Sequence, residues 1–192
     1  MKRIFTTFLL LLIFWQLIAQ DPATTLDRYK NILSDNNQPE KALAQSMSRL
    51  EEATETHDLR REAQTRIEIG FLHLTHTHDY EQALEFFIQS LAIEDSLDLK
   101  NERILTYLGI AQVFEEAGNY QKSSDVLDQA LETNRPLNDT KMLVLILNKI
   151  GRINALLGKL ELALENYEAV LNYKNELEDP EVEAEALFNI AN

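Results

Sequence analysis

The stretch Ala111–Leu127, AQVFEEAGNYQKSSDVL, spans the end of one predicted helix, a turn and the start of the next. Before the turn, apolar or small residues follow the i, i+3, i+4, i+7 spacing of one helix face at Tyr107, Ile110, Ala111 and Phe114. After it, a similar face continues at Tyr120, Ser123, Leu127, Ala130 and Leu131. Gly118 stands where helices commonly end in a left-handed conformation. The stretch therefore predicts two helices joined by a tight turn.

The same pattern recurs about every forty residues. Small residues follow one another in steps of 41, 40 and 40 at Gly70, Ala111, Gly151 and Ala191, and again at Ala42, Ala83, Ser123 and Ala163. Bulky residues keep a step of 40 at Tyr80, Tyr120 and Leu160, and at Phe87, Leu127 and Tyr167. Small side chains let two helices cross closely, while a bulky neighbour fills the space beside the crossing. Two small-residue series with one period predict a repeat protein.

This order of small residue, aromatic residue, Gly-Asn-Tyr turn and second small residue resembles a tetratricopeptide repeat, over about Thr25–Asn192. The period is 40 residues here, against roughly 34 in the family. The resemblance implies an all-α, right-handed solenoid of antiparallel helix pairs. Three repeats are clear, the N-terminal one is divergent, and the C-terminus holds half a repeat. It also implies a non-enzymatic array whose first helices line a concave groove for a protein or peptide segment.

The repeat register predicts which residues line that groove. They are Ile67, Phe71 and Leu74 in one repeat, Leu108, Gln112 and Glu115 in the next, and Asn148, Arg152 and Ala155 in the third. Asn148 and Arg152, one turn apart, are candidates for clamping a carboxylate or a peptide backbone. Ile67 and Phe71 stand where chaperone-binding relatives carry the Lys and Asn of a carboxylate clamp. An apolar or amphipathic segment is therefore the expected ligand.

Three histidines and an aspartate, His73, His76, His78 and Asp79, lie between the helices of the first clear repeat. In one hypothesis His73 and His76, three apart on a helix face, join His78 or Asp79 around a transition metal. In the other, the histidines end one helix and Asp79 is the N-cap of the next. We favour the second interpretation and expect no cofactor. The stretch is one residue longer than its counterparts, which accounts for the 41-residue step.

The segment Met1–Gln20 has the layout of a secretory signal. Lys2 and Arg3 precede an apolar run of 16 residues, Ile4–Ala19, and cleavage is expected after Ala19 or Gln20. An uncleaved membrane anchor is the alternative, although the run is shorter than the roughly 20 residues that span a bilayer. Residues 21–192 are expected to form the repeat array in the periplasm or cell envelope of a Gram-negative-type bacterium. Membrane contact is expected only through this segment or a region beyond residue 192.

Composition and motifs exclude several classes of function. With 18 Lys and Arg against 32 Asp and Glu, the net charge is −14, which disfavours binding to nucleic acid. The absence of cysteine excludes disulfides, thiolate metal sites and cysteine nucleophiles. The sequence contains no glycine-rich phosphate loop, HExxH or GxSxG motif. We therefore expect no enzymatic activity.

The last residues, Asp179–Asn192, begin a further repeat without a second helix, so the array is expected to be incomplete at its C-terminal end. The resemblance then implies the sensory or scaffold portion of an envelope protein, such as a sensor kinase or transcriptional regulator that continues beyond residue 192. A standalone periplasmic scaffold for envelope protein assembly is the second hypothesis. A metal-binding protein that uses the histidine cluster is the third.

Overall fold

The computed structural model describes residues 38–173 and 180–191, so the predicted signal segment lies outside the described residues. In these two ranges the regular secondary structure is helical, without a strand, which confirms the predicted all-α class. None of the helices in them combines the length and hydropathy that a membrane span requires. In chain order the helices are α1 Pro39–Glu55, α2 Leu59–Leu72, α3 Tyr80–Leu97, α4 Lys100–Glu116, α5 Tyr120–Asn134, α6 Thr140–Leu156, α7 Leu160–Asn172 and α8 Pro180–Ala191.

The helices stack in sequence order, as the repeat pattern predicted. Each first helix packs most extensively on the second helix that follows it, which gives the pairs α2/α3, α4/α5 and α6/α7. The first helices α2, α4 and α6 also contact one another, more extensively than the second helices do. First helices therefore line the inner side of the stack and second helices the outer side. This is the arrangement of a tetratricopeptide-like solenoid.

Close helix crossings explain the small residues. The ring of Phe87 on α3 is fully buried between Gly70 of α2 and Gly109 of α4. A Cβ added at Gly70 would lie 2.6 Å from Cε1 of that ring, and a Cβ at Gly109 would also collide with it. Tyr167 occupies the same position against Gly151. The second small series is buried as predicted, at Ala83, Ser123 and Ala163.

One left-handed residue follows each of the first helices α2, α4 and α6. Gly118 has φ 70° and Gly158 has φ 74°, as the sequence predicted, and His78 occupies the equivalent place with φ 52°. The turns between repeats use His57, Asp98 and Asn138 in the same conformation. Side chains at the helix starts accept backbone N–H groups, as at Asp58, Asp79, Asn119 and Asp139.

We expect the His78→Gly variant to be about 1 kcal/mol more stable than the wild type, because a side chain in the left-handed conformation costs roughly that amount. Gly118→Ala is the matched control. A Cβ at Gly118 meets no atom within 4 Å, so its expected cost of about 1 kcal/mol comes from the backbone alone. Urea denaturation measures both. If His78→Gly were the less stable protein, the contact of the His78 ring with Tyr80 would outweigh the backbone strain.

Candidate partner-binding surface

Polar side chains of consecutive first helices meet where these helices contact one another. Between α2 and α4, Gln64 Nε2 donates to Glu102 Oε1 at 3.0 Å, and Arg60 Nη1 lies 3.4 Å from the same oxygen. Between α4 and α6, Lys149 Nζ donates to Gln112 Oε1 at 3.3 Å, and the Arg152 guanidinium pairs with Glu115. We call this surface the first-helix face. It consists of Arg60, Gln64, Glu102, Gln112, Glu115, Lys149 and Arg152.

Within the ion pairs of this face, the cation is more exposed than its carboxylate. The Arg152 side chain is 50% exposed and that of Glu115 only 8%, and the Arg60–Glu102 pair shows the same asymmetry. A third pair, between Arg49 of α1 and Glu68 of α2, lies outside this face and shows the same difference in exposure between arginine and carboxylate. The carboxylates therefore lie beneath arginines whose guanidinium groups reach solvent. Because displacement of the arginine would leave a buried carboxylate unpaired, an incoming carboxylate is expected to contact the exposed side of the guanidinium group without displacing its partner.

Five of the nine residues predicted to line the groove are buried, which is contrary to the prediction: Ile67, Phe71, Leu74, Leu108 and Asn148. Helix α2 is covered by α3 on one side and by α4 on another, which encloses its apolar residues. Phe71 packs edge-on against Phe87 with ring centroids 5.0 Å apart. Buried Asn148 does not share an open surface with Arg152, so the proposed clamp is absent. Gln112, Glu115 and Arg152 lie on the first-helix face, and their contact with a partner stays a prediction.

The residues of the histidine cluster point to separate neighbours. The His73 ring stacks on Phe86 at 5.7 Å, and burial lowers its pKa, with nearby Asp79 opposing that effect. Asp79 caps α3 by accepting the backbone N–H of Gln82 at 3.0 Å. Within residues 38–173 and 180–191, no three His, Asp or Glu side chains are grouped so that they could hold a metal ion. Asp79 is therefore the N-cap that the favoured interpretation predicted, and the described residues give the alternative metal site at His73, His76, His78 and Asp79 no support.

The extra residue of this repeat is accommodated by a π-helical turn over His73–Thr77. In this turn Thr77 Oγ1 donates to the carbonyl of His73 at 3.1 Å, and the backbone N–H of Asp79 donates to the same carbonyl at 3.1 Å. Single π turns are the usual way in which a helix absorbs one inserted residue. The sequence predicted the insertion but not its geometry.

The structure also contains a buried carboxyl that the sequence did not reveal. Glu94 near the end of α3 is fully buried, and its Oε1 lies 2.6 Å from both Ser90 Oγ and Thr106 Oγ1. Burial raises its pKa to about 7, partly opposed by these two hydroxyls. Neighbouring Glu102 raises the pKa further, and Arg103 lowers it. Its repeat equivalents, Ala53 and Asn134, are buried too, and the only signal in the sequence was that neither of them is charged.

Comparison with known protein families matches residues 61–135 to the family described as tetratricopeptide repeat. The matched range begins within α2 and ends directly after α5, so it covers two successive helix pairs. Helices α6 and α7 form a further pair of the same kind beyond it. No curated protein sequence matches the chain significantly.

Proposed function

Through residues 61–135 this chain belongs to the tetratricopeptide repeat family, and we propose that its first-helix face binds a segment of a partner protein. Repeats of this family generally mediate protein–protein interaction and form a non-catalytic module. The observation that carries the proposal is that two arginines of this face, Arg60 and Arg152, reach solvent above the largely buried carboxylates of Glu102 and Glu115. Guanidinium groups in this arrangement suit carboxylates and backbone carbonyls.

The partner segment is accordingly one that carries acidic side chains. The expectation of an apolar ligand depended on Ile67 and Phe71, and both side chains are enclosed by neighbouring helices. Arginines remain at the surface in their place, on a chain that is otherwise strongly acidic. The exposed members of the ion pairs on this face are guanidinium groups, which favour acidic segments, while the net charge of −14 slows the approach of other acidic proteins.

Capture of partners from an envelope extract tests this surface. We expect Arg152→Glu to lower the yield of bound partner roughly tenfold, because one lost charge-assisted contact costs about 1.5–3 kcal/mol. Arg135→Glu is the matched control. Arg135 lies just after α5, its side chain is 71% exposed, and the change in net charge is identical. If both variants lost the partner equally, net charge and not the first-helix face would account for binding.

We further propose that the chain acts outside the cytoplasm, as the sensory or scaffold portion of an envelope protein. Lys2 and Arg3 before the apolar run Ile4–Ala19, together with the lack of cysteine, support export. Mass spectrometry of the protein purified from envelope fractions tests this. The expected mature form lacks 19 or 20 N-terminal residues, corresponding to cleavage after Ala19 or Gln20. Recovery from the cytosol with Met1–Gln20 intact would contradict export.

A further inference from the structure

The carboxyl of Glu94 lies where two successive helix pairs, α2/α3 and α4/α5, meet. Its hydrogen-bond partners come from both pairs, Ser90 from α3 and Thr106 from α4. Ser90 Oγ also donates to the main-chain carbonyl of Ala63 on α2 at 3.0 Å, so three helices meet around this one side chain. Glu94 is fully buried. The α3/α4 junction can therefore close only when this carboxyl leaves water.

The hydroxyl groups around Glu94 have too few protons to satisfy every contact of an ionised carboxylate. Each hydroxyl carries one proton but contacts two oxygens. One of these is Glu94 Oε1, at 2.6 Å from both hydroxyls. The other is a main-chain carbonyl, that of Ala63 at 3.0 Å from Ser90 Oγ or that of Glu102 at 3.2 Å from Thr106 Oγ1. A proton on Glu94 supplies a further donor, because Glu94 then donates to Ser90 while Ser90 donates to Ala63.

No cation pairs with the Glu94 carboxyl among the described residues, where Oε2 also has no hydrogen-bond partner. Arg103 of α4 donates instead to the main-chain carbonyl of Glu94 at 3.1 Å and pairs with Asp95 at 2.8 Å. Glu102 adds a like charge from α4, and Tyr107 of the same helix has a pKa that burial raises. Loss of the Glu94 proton therefore leaves a buried charge without a direct ion pair, which favours exposure of the group to water.

The equivalent positions at the neighbouring junctions do not titrate. Asn134 at the α5/α6 junction donates from Nδ2 to the main-chain carbonyl of Asp139 at 3.0 Å, and Ala53 is buried at the α1/α2 junction. Helices α3 and α4 pack less extensively on each other than the helices within each pair do. Because a solenoid is held together by contacts between neighbouring repeats, one junction can open while the pairs on either side remain folded.

From this geometry we propose that the α3/α4 junction is a proton-dependent switch, closed while Glu94 is protonated and opened locally when Glu94 is ionised. Opening brings Glu94 into water and separates Glu102 from α2, to which Gln64 and Arg60 hold it. The pKa of Glu94 is about 7 in the closed junction, against an ordinary 4.5 in water, so the closed form binds the proton more tightly. Closure is therefore favoured at low pH and weakens as the pH rises from about 4.5 to 7.

Hydrogen exchange of the full chain, followed by mass spectrometry at about pH 5.5 and 7.5 and corrected for the chemical exchange rate, tests the proposal. Glu94→Gln is the reference, because it keeps the shape of the carboxyl but carries no charge. Relative to this variant, we expect the opening equilibrium constant of the wild-type segment Glu94–Thr106 to rise about twentyfold between the two pH values. Helix α6, at the junction that holds Asn134, is the internal control and should change by less than about twofold.

Two results would overturn the proposal. If α6 changed as much as Glu94–Thr106, ionisation of Glu94 would loosen the whole chain and not one junction. If Glu94–Thr106 changed no more in the wild type than in Glu94→Gln, the junction would not respond to this proton. No partner protein enters the measurement, so its outcome is independent of the proposed function.

Thr106→Val provides a second variant that keeps the carboxyl. The Thr106 hydroxyl lowers the pKa of Glu94, so its removal should move the onset of opening to higher pH. An unchanged or lower onset would also contradict the switch. Circular dichroism checks that both variants remain folded.

Discussion

Truncation of Phe87 to alanine is expected to lower the free energy of unfolding by about 3–5 kcal/mol, the usual range for a buried phenylalanine. The ring fills the space between α2 and α4, bounded by two glycines and by Phe71. The glycines have no side chains that could move into the cavity, so we expect the cost near the upper end of this range. Chemical denaturation followed by circular dichroism measures it.

The adjacent residue provides the control. Ile88 is exposed on the outer side of α3, and Ile88→Ala should change stability by about 0.5 kcal/mol or less. If Phe87→Ala cost under about 1 kcal/mol, well below the range for a buried ring, the ring would not hold the two repeats together.

Replacing Glu94 with glutamine should remove most of a pH dependence of stability. The folded-state pKa is about 7 against an ordinary 4.5, so the folded protein binds this proton more tightly than the unfolded chain. Stability from this group is therefore greatest at low pH and falls as the pH rises from about 4.5 to 7. The full difference is about 3 kcal/mol, of which about 2 kcal/mol falls between about pH 5.5 and 8.5.

The measurement compares urea denaturation of wild type and Glu94→Gln at about pH 5.5 and 8.5. We expect the stability difference between them to shift by about 2 kcal/mol in favour of the variant at the higher pH. For Glu85→Gln, at an exposed position of the same helix, we expect the difference in free energy of unfolding from the wild type to be the same at both pH values. Parallel stability profiles for wild type and Glu94→Gln would contradict a buried, proton-binding carboxyl.

Helix pairing could be predicted from the sequence because its causes are local and repeated. Gly118 and Gly158 predicted the turns because a left-handed backbone conformation favours glycine. Asp79 predicted a helix start because its side-chain oxygen can accept a backbone N–H group. The small residues marked the crossings because a larger side chain would collide there. Each of these signals depends on a few adjacent residues or on one fixed spacing.

The partner-binding surface was harder to predict because exposure depends on how far the next repeat covers a helix. The register placed Phe71 and Arg152 at equivalent positions of α2 and α6, yet one is fully buried and the other exposed. Helix α2 is covered by α3 and α4, whose packing a single-sequence pattern does not fix. The pairing of Arg152 with Glu115 likewise joins residues 37 positions apart on separate helices.

Glu94 was missed for a related reason. A glutamate on a helix is usually solvated, and its spacing from other acidic residues carried no warning. The one indication in the sequence was that the equivalent positions hold uncharged residues, Ala53 and Asn134, and the structure shows both of them buried.

A double-mutant cycle at Gly70 and Phe87 tests most directly whether small residues and bulky rings are matched across the repeats. The double variant Gly70→Ala/Phe87→Leu recreates the pair that the next repeat carries, Ala111 and Leu127. We predict that Gly70→Ala costs about 1–3 kcal/mol beside Phe87 but little beside leucine, with a coupling of at least about 1 kcal/mol. Additive effects, within about 0.5 kcal/mol, would contradict the matched packing on which the solenoid depends.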